Sequence, residues 1–192
     1  NGLDIKTFTA DYRKCTPITK NFIFASRFSG GLSLGENRQT FFIGGADGWI
    51  NYQFKDDEIP IVNVEDYAFF TTVVPLRGYD FNALNGSYYG IANFEFRFPL
   101  VKYLIFGAPS FGFSDILGTV FLDMGSAWTD SDKWKAFGKN SDGVTVTQDL
   151  LISTGIGTRF GFLGLPLRID VAWKFNYSGF SEPRYLFSLG AD

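Results

Sequence analysis

A run near the end of the chain, Leu167-Arg168-Ile169-Asp170-Val171-Ala172-Trp173-Lys174-Phe175, alternates strictly between large apolar side chains and charged or small ones. Successive side chains of a strand point to opposite faces, so this run has one oily face and one ionic face. A soluble barrel or sandwich turns its apolar face inward and seldom adds Trp and Phe to the other side. A strand in an outer membrane does the reverse, with the apolar side on lipid and the polar side on a wet lumen. One half-buried soluble strand also alternates, so the constraint comes from repetition.

The pattern does repeat. From Ile5 to Arg13, Phe8, Ala10 and Tyr12 oppose Thr7, Thr9, Asp11 and Arg13, and Pro17 marks a tight turn. A Gly-rich strand is expected over Phe22 to Leu34, with Phe22, Phe24 and Phe28 opposite Arg27 and Ser29. Alternation returns at Tyr88, where Phe94, Phe96 and Phe98 oppose Asn93, Glu95 and Arg97, and Pro99 is expected to end the run. Over Leu117 to Trp128, Val120, Leu122 and Met124 oppose Thr119, Phe121, Asp123 and Gly125. Over Leu150 to Phe160, Ile152, Ile156 and Phe160 oppose Ser153, Gly155, Gly157 and Arg159. Gly164-Leu165-Pro166 reads as a turn into the Leu167 strand, and Asn176 to Pro183 as a turn into Arg184 to Asp192, where Tyr185, Phe187 and Leu189 share a face.

The connections are unequal. Gly35 to Gly86 loses the period, carries Lys55-Asp56-Asp57-Glu58 and ends in Pro75-Leu76-Arg77-Gly78-Tyr79. A loop this long usually has a function, and Phe41-Phe42-Ile43 and Ile59 to Val64 are apolar enough to pair locally. Thr129 to Gln148 reads as an exposed polar loop. Short turns (Thr16 to Asn21, Gly161 to Pro166) fall at one end and long loops at the other, with Val101 to Ser114 a middling connection on the short side. That asymmetry matches short periplasmic turns and long outer loops. The expected fold is all-β, an antiparallel transmembrane β-barrel spanning residues 1–192 as one domain. The count is about seven strands, whereas single-chain bacterial barrels have an even number from about eight. Either one strand hides in the long segment or the chain is the C-terminal half of a barrel of about sixteen strands.

Composition agrees. A length of 192 residues suits one domain, with room for about eight strands of about ten residues. Phe contributes 23 residues and Gly 22, both poor helix formers, while Met and Cys contribute one each. No stretch reaches the roughly 18 apolar residues of a membrane helix. Asn1 in place of Met or a signal peptide reads as an internal or processed start. A net charge of -3 without a Lys/Arg cluster argues against a nucleic-acid surface. His is absent, which removes Ser-His-Asp and Cys-His catalysis and most zinc sites from within the chain. Cys15 alone cannot form an internal disulfide and reads as a small strand residue.

With these motifs in hand, the sequence resembles the C-terminal barrel of the bacterial surface-antigen superfamily, which includes the BamA and TamA assembly factors and the two-partner secretion transporters. Arg77-Gly78-Tyr79 is similar to the Arg-Gly-aromatic tip of the long loop that folds back into the barrel of those proteins. Asn93-Phe94-Glu95-Phe96-Arg97-Phe98-Pro99 is similar to their Glu-containing strand, and Phe121-Leu122-Asp123-Met124-Gly125 to their Phe-x-Asp-x-Gly strand. The resemblance implies that residues of about 35–86 fold into the lumen and that Arg77 is held by Asp123 and Glu95. The alternation independently puts both acids on the polar face. A guanidinium pairs with carboxylates bidentately, and Gly78 lets the backbone approach the wall. Otherwise Arg77 is an ordinary loop arginine and Glu95 pairs with Arg97 or Lys174. Tyr185-Leu186-Phe187-Ser188-Leu189-Gly190-Ala191-Asp192 resembles the C-terminal targeting signal of outer-membrane barrels, carried by Tyr185, Phe187, Leu189 and Gly190, without its closing aromatic residue. The segment from Gly44-Gly45 to Leu76 is longer than the family's plain loop. No periplasmic recruitment domain lies within the 192 residues.

Other motifs are weaker. Gly31-Leu32-Ser33-Leu34-Gly35 matches a hydrolase Gly-x-Ser-x-Gly pattern, but no His is present to act as base. Asp123 with Glu95 as a glycosidase pair yields to an ion-paired wall. Asp56, Asp57 and Glu58 lack the spacing of a calcium loop and read as a solvated tip. Trp49, Trp128, Trp134 and Trp173 are candidates for stacking on sugars, with Trp128 and Trp173 better placed for interface girdles. The resemblance therefore implies a non-enzymatic protein of the bacterial outer membrane, without cofactor or metal. Its partners would be outer-membrane lipid and unfolded outer-membrane protein clients or a secreted passenger. The alternatives are a barrel anchor or small pore for an enzymatic or binding domain encoded upstream, and a soluble lipocalin-like binding barrel.

Overall fold

The computed structural model describes the backbone of residues 2–57, 69–73, 75–107, 111–129, 134–162 and 164–190, and the side chains of all of these but 57, 111 and 114. Among these residues twelve strands follow in chain order: β1 (Lys6–Pro17), β2 (Ile23–Leu34), β3 (Thr40–Ile43), β4 (Phe70–Val73), β5 (Leu84–Gly86), β6 (Tyr88–Phe106), β7 (Phe111–Trp128), β8 (Phe137–Lys139), β9 (Thr145–Thr147), β10 (Leu151–Phe162), β11 (Leu165–Phe175) and β12 (Arg184–Leu189). The long strands form one seven-stranded sheet in the order β1-β2-β6-β7-β10-β11-β12, with every pair antiparallel. Each strand lies beside its predecessor in the sheet, as an up-and-down meander requires. β1 and β12 end the sheet, so among the described residues it is not closed into a barrel.

The sheet buries its polar face. On β11, Arg168, Asp170 and Ala172 are buried while Ile169, Val171 and Trp173 are half-exposed. On β7, Thr119, Phe121 and Asp123 are buried, whereas Val120 is 45% and Leu122 38% exposed. β12 follows suit, with Leu186 and Ser188 buried and Tyr185, Phe187 and Leu189 exposed. Burying apolar area is the main gain of folding in water, and this sheet leaves much of that area bare on its outer face. The outer face carries cross-strand rings: Phe22 stacks on Phe96 at 5.7 Å, and Phe28 meets Phe94 edge-on at 5.6 Å.

Among the described residues, the long segment between β2 and β6 adds no eighth strand to that sheet. It makes its own three-stranded sheet, β4-β3-β5, which is parallel between β3 and β4. The Phe41-Phe42-Ile43 run lies in β3, while Glu58 and Ile59 to Val64 fall outside the described residues. The segment lies on the inner face of the large sheet, where Phe41, Ile43, Val73 and Leu76 pack with Tyr89, Ile91 and Ala127. A neighbouring cluster joins Ala46 and Trp49 to Phe121, Ala172 and Leu186.

Two boundaries differ from the sequence reading. Pro99 does not end its strand, and most of the expected Val101 to Ser114 connection is strand: β6 runs 19 residues to Phe106 and β7 18 from Phe111, the two paired out to those residues. The register shifts between Pro99 and Val101, and a bulge is one of the few places where a proline's missing N–H is tolerated in a sheet. Leu165 and Pro166 are already strand, opposite Phe162 and Gly161, which shortens the turn there. The Thr129 to Gln148 connection contains the β8–β9 hairpin, and residues 130–133 lie outside the description.

Candidate functional site

The inner face of the sheet carries a buried charge network into which one loop residue is inserted. Strand alternation directs Glu95 of β6, Asp123 of β7, Arg159 of β10 and Asp170 of β11 to this side. Arg77 enters from the turn after Leu76. Its Nε donates to Asp123 Oδ2 at 2.8 Å and its Nη2 to Oδ1 at 2.9 Å, while Nη1 donates to Glu95 Oε2 at 2.7 Å. The Arg77 backbone N–H also donates to Asp123 Oδ2, at 3.1 Å. The fork geometry of arginine fits a carboxylate with two parallel bonds, which lysine cannot reproduce. Beneath it the Phe121 ring lies 3.5 Å from Arg77 Cζ, a close cation–π contact. Gly155 leaves room for that ring, since a Cβ there would overlap it.

The acids are shared. Glu95 also accepts from Arg97 Nε at 2.7 Å and Arg159 Nη2 at 3.1 Å, and Arg159 Nη1 donates to Asp170 at 2.7 Å. Asn93 Nδ2 donates both to Asp123 Oδ1 and to the Pro75 carbonyl, each at 2.9 Å, tying wall and loop together. Asp123 is fully buried, where a carboxylate needs such hydrogen-bonded partners. Burial opposes the charge on Arg77, but the Asp123 and Glu95 carboxylates more than reverse that, and the guanidinium stays protonated above its ordinary value.

The residues after Arg77 fix the turn. Gly78 has φ +89°, a left-handed conformation, and a Cβ there would sit 3.2 Å from that of Ala172. The Tyr79 hydroxyl donates to the Ile152 carbonyl at 2.9 Å and accepts from its N–H at 3.2 Å. Burial pushes that phenol up to about 12, against the bond to Ile152, so it remains a neutral donor. Gly125 of β7 packs beside Leu76. Arg77, Gly78, Tyr79, Glu95, Phe121, Asp123 and Gly125 are thus brought together. Tyr185, Phe187 and Leu189 lie on β12 at the end of the sheet, with Gly190 just after them.

The remaining candidates are placed elsewhere. Ser33 is a buried β2 residue bonded to Thr7 and to the Gln39 N–H, not a nucleophile on an elbow. Trp128 stacks on Tyr88 and Trp49 is buried, Trp134 is exposed with its indole N–H on Ser126, and Cys15 is an exposed free thiol on β1. Asp56 is exposed in a short turn. Arg159, Asp170 and Asn93 were not singled out from the sequence as part of the site. Their alternation placed them on the polar face, but pairing them requires the strand register.

An antiparallel sheet with a bare apolar outer face and an ion-paired loop on its inner face defines a β-protein built around its polar side. A family model described as the Omp85 superfamily domain matches residues 3–191, and the chain belongs to that superfamily of outer-membrane protein assembly and transport. No curated protein matches the sequence.

Proposed function

We propose that this chain is the membrane-embedded β-barrel domain of an outer-membrane assembly or transport protein, acting without catalytic chemistry of its own. The observation that carries this reading is the inverted sheet: Ile169, Val171 and Val120 point outward while Arg168, Asp170 and Asp123 are buried. In lipid every backbone group needs a partner, so the sheet must close or be joined by further strands, with segment 35–86 inside the lumen. Arg77, Gly78 and Tyr79 then brace the wall through Glu95, Phe121, Asp123 and Gly125. The first and last strands part and template a client strand by edge pairing. Tyr185, Phe187, Leu189 and Gly190 serve as the address by which the chain itself reaches the bacterial outer membrane. Its partners are outer-membrane lipid and an unfolded outer-membrane protein or secreted passenger.

Reconstitution into phospholipid vesicles tests this. An unfolded outer-membrane barrel added outside should fold faster than on empty vesicles, or a passenger should cross into the lumen. Equal rates and no crossing would refute the reading.

A further inference from the structure

β12 has two edges, one paired with β11 and the other met by residues of the long segment. Its even-numbered side faces β11, as in the bond from the Gly190 N–H to the Pro166 carbonyl at 3.1 Å. The odd-numbered residues point their backbone groups the other way, where a further strand would add. Those groups, from the Tyr185 carbonyl to the Leu189 N–H, are already taken by a short piece of the long segment. The Ile50 N–H donates to the Phe187 carbonyl at 2.8 Å, and the Leu189 N–H donates to the Gly48 carbonyl at 2.9 Å. Asn51 completes the set with its side chain: Oδ1 accepts from the Phe187 N–H at 2.9 Å, and Nδ2 donates to the Tyr185 carbonyl at 3.0 Å. Trp49 sits opposite Ser188 in an antiparallel bridge.

Residues 48–51 therefore imitate a strand without being one. The imitation is incomplete, because at Phe187 and Tyr185 a side-chain amide stands in for a backbone. It is also built for close approach: Gly48 has φ +61°, and a Cβ there would overlap the Leu189 carbonyl. The piece is anchored by the buried Trp49 indole, whose Nε1 donates to Asn51 Oδ1 at 2.7 Å. Upstream, Gly45 bonds to the Tyr79 carbonyl at 3.1 Å and accepts from the Leu76 N–H at 2.9 Å. The same segment that inserts Arg77 into the wall thus reaches the end of the sheet. The opposite end differs, since among the described residues β1 pairs only with β2.

We infer that residues 48–51 are a strap that holds the strand-accepting edge of β12 closed, and that this edge receives an extended peptide strand only when the strap is displaced. The inference rests on the edge-pairing role proposed above and adds its regulation. An arriving strand would bond to Tyr185, Phe187 and Leu189 through its own backbone, replacing all of the strap's bonds and extending past them. Cross-strand neighbours share a face, so that strand should alternate apolar residues beside Phe187 and Leu189 with small or polar ones beside Leu186 and Ser188.

Residue-level hydrogen exchange on the folded protein in detergent tests the strap directly. In the unaltered chain the Ile50, Phe187 and Leu189 amides should be protected. In Gly48→Val all of them should exchange at least about tenfold faster, while Gly190, bonded toward β11, should not change. Asn51→Ala, which leaves the backbone unstrained, should act in the same direction on Phe187 and serves if Gly48→Val does not fold. A synthetic peptide of the β1 sequence, Lys6–Pro17, is the probe strand and should bind Gly48→Val at least about tenfold more tightly than the parent. Unprotected amides in the parent, unchanged exchange in both variants, or equal peptide binding would overturn the inference. Exchange reads the strap whether or not the protein assembles clients, so failure here is separable from failure of the proposed function.

Discussion

Replacing Arg77 by alanine removes the side chain on which the loop is held. Asp123, which is fully buried, loses both guanidinium bonds. It keeps the Asn93 amide and, while the loop stays docked, the backbone N–H at position 77, neither of which carries a positive charge. Glu95 fares better because Arg97 and Arg159 remain beside it. Breaking one side of a buried pair in this way costs about 3–5 kcal/mol. That energy falls on docking of the segment, not on the sheet, whose ladders Arg77 does not join. At about 1.4 kcal/mol per decade, the Leu76 and Gly45 amides should exchange roughly a hundred- to a few thousandfold faster. Protease should cut the segment while the circular dichroism of the sheet persists. Adding Asp123→Asn to Arg77→Ala removes the stranded charge and should recover part of the loss, a coupling that a double-mutant cycle measures. Unchanged exchange and protease resistance in Arg77→Ala would refute the reasoning.

Further predictions follow from the same geometry. Gly78→Ala forces a Cβ into a left-handed turn against Ala172 and should lower stability by about 1–2 kcal/mol, read from the denaturant midpoint. Phe121→Ala opens a cavity beneath the guanidinium and should cost about 3–5 kcal/mol by the same measurement. Val120→Arg, on the bare face, should cost about 2–4 kcal/mol in a bilayer if it lies near the midplane. A substitution tolerated equally in bilayer and in water would argue against lipid contact at that position.

How much of this was legible in the sequence depended on which physical rule was at work. Period-two alternation is a local signal, and it put Asp123 opposite Leu122 and Asp170 opposite Val171 without knowledge of any partner. The strands of the large sheet were countable for the same reason. The extension past Pro99 was not legible, because proline usually stops a strand and only the register shift at Leu100 shows how it is accommodated. Arg159 and Asp170 were each on the polar face, but their pairing depends on Gly157 lying opposite Asp170, a register that no short window of sequence contains. The strap was hidden for a stronger reason. Residues 48–51 have no period, and Asn51 meets Tyr185 across a separation of 134 residues.

The central claim is that this sheet faces lipid with its apolar side and the pinned segment with its polar side. Single cysteines placed in turn from Leu167 to Phe175, in a Cys15→Ala background, can carry an environment-sensitive fluorophore in reconstituted vesicles. Quenchers attached to the lipid chains should quench probes at 169, 171 and 173 and leave those at 168, 170 and 172 bright. Quenching without a period of two, or quenching of the even positions, would contradict the account.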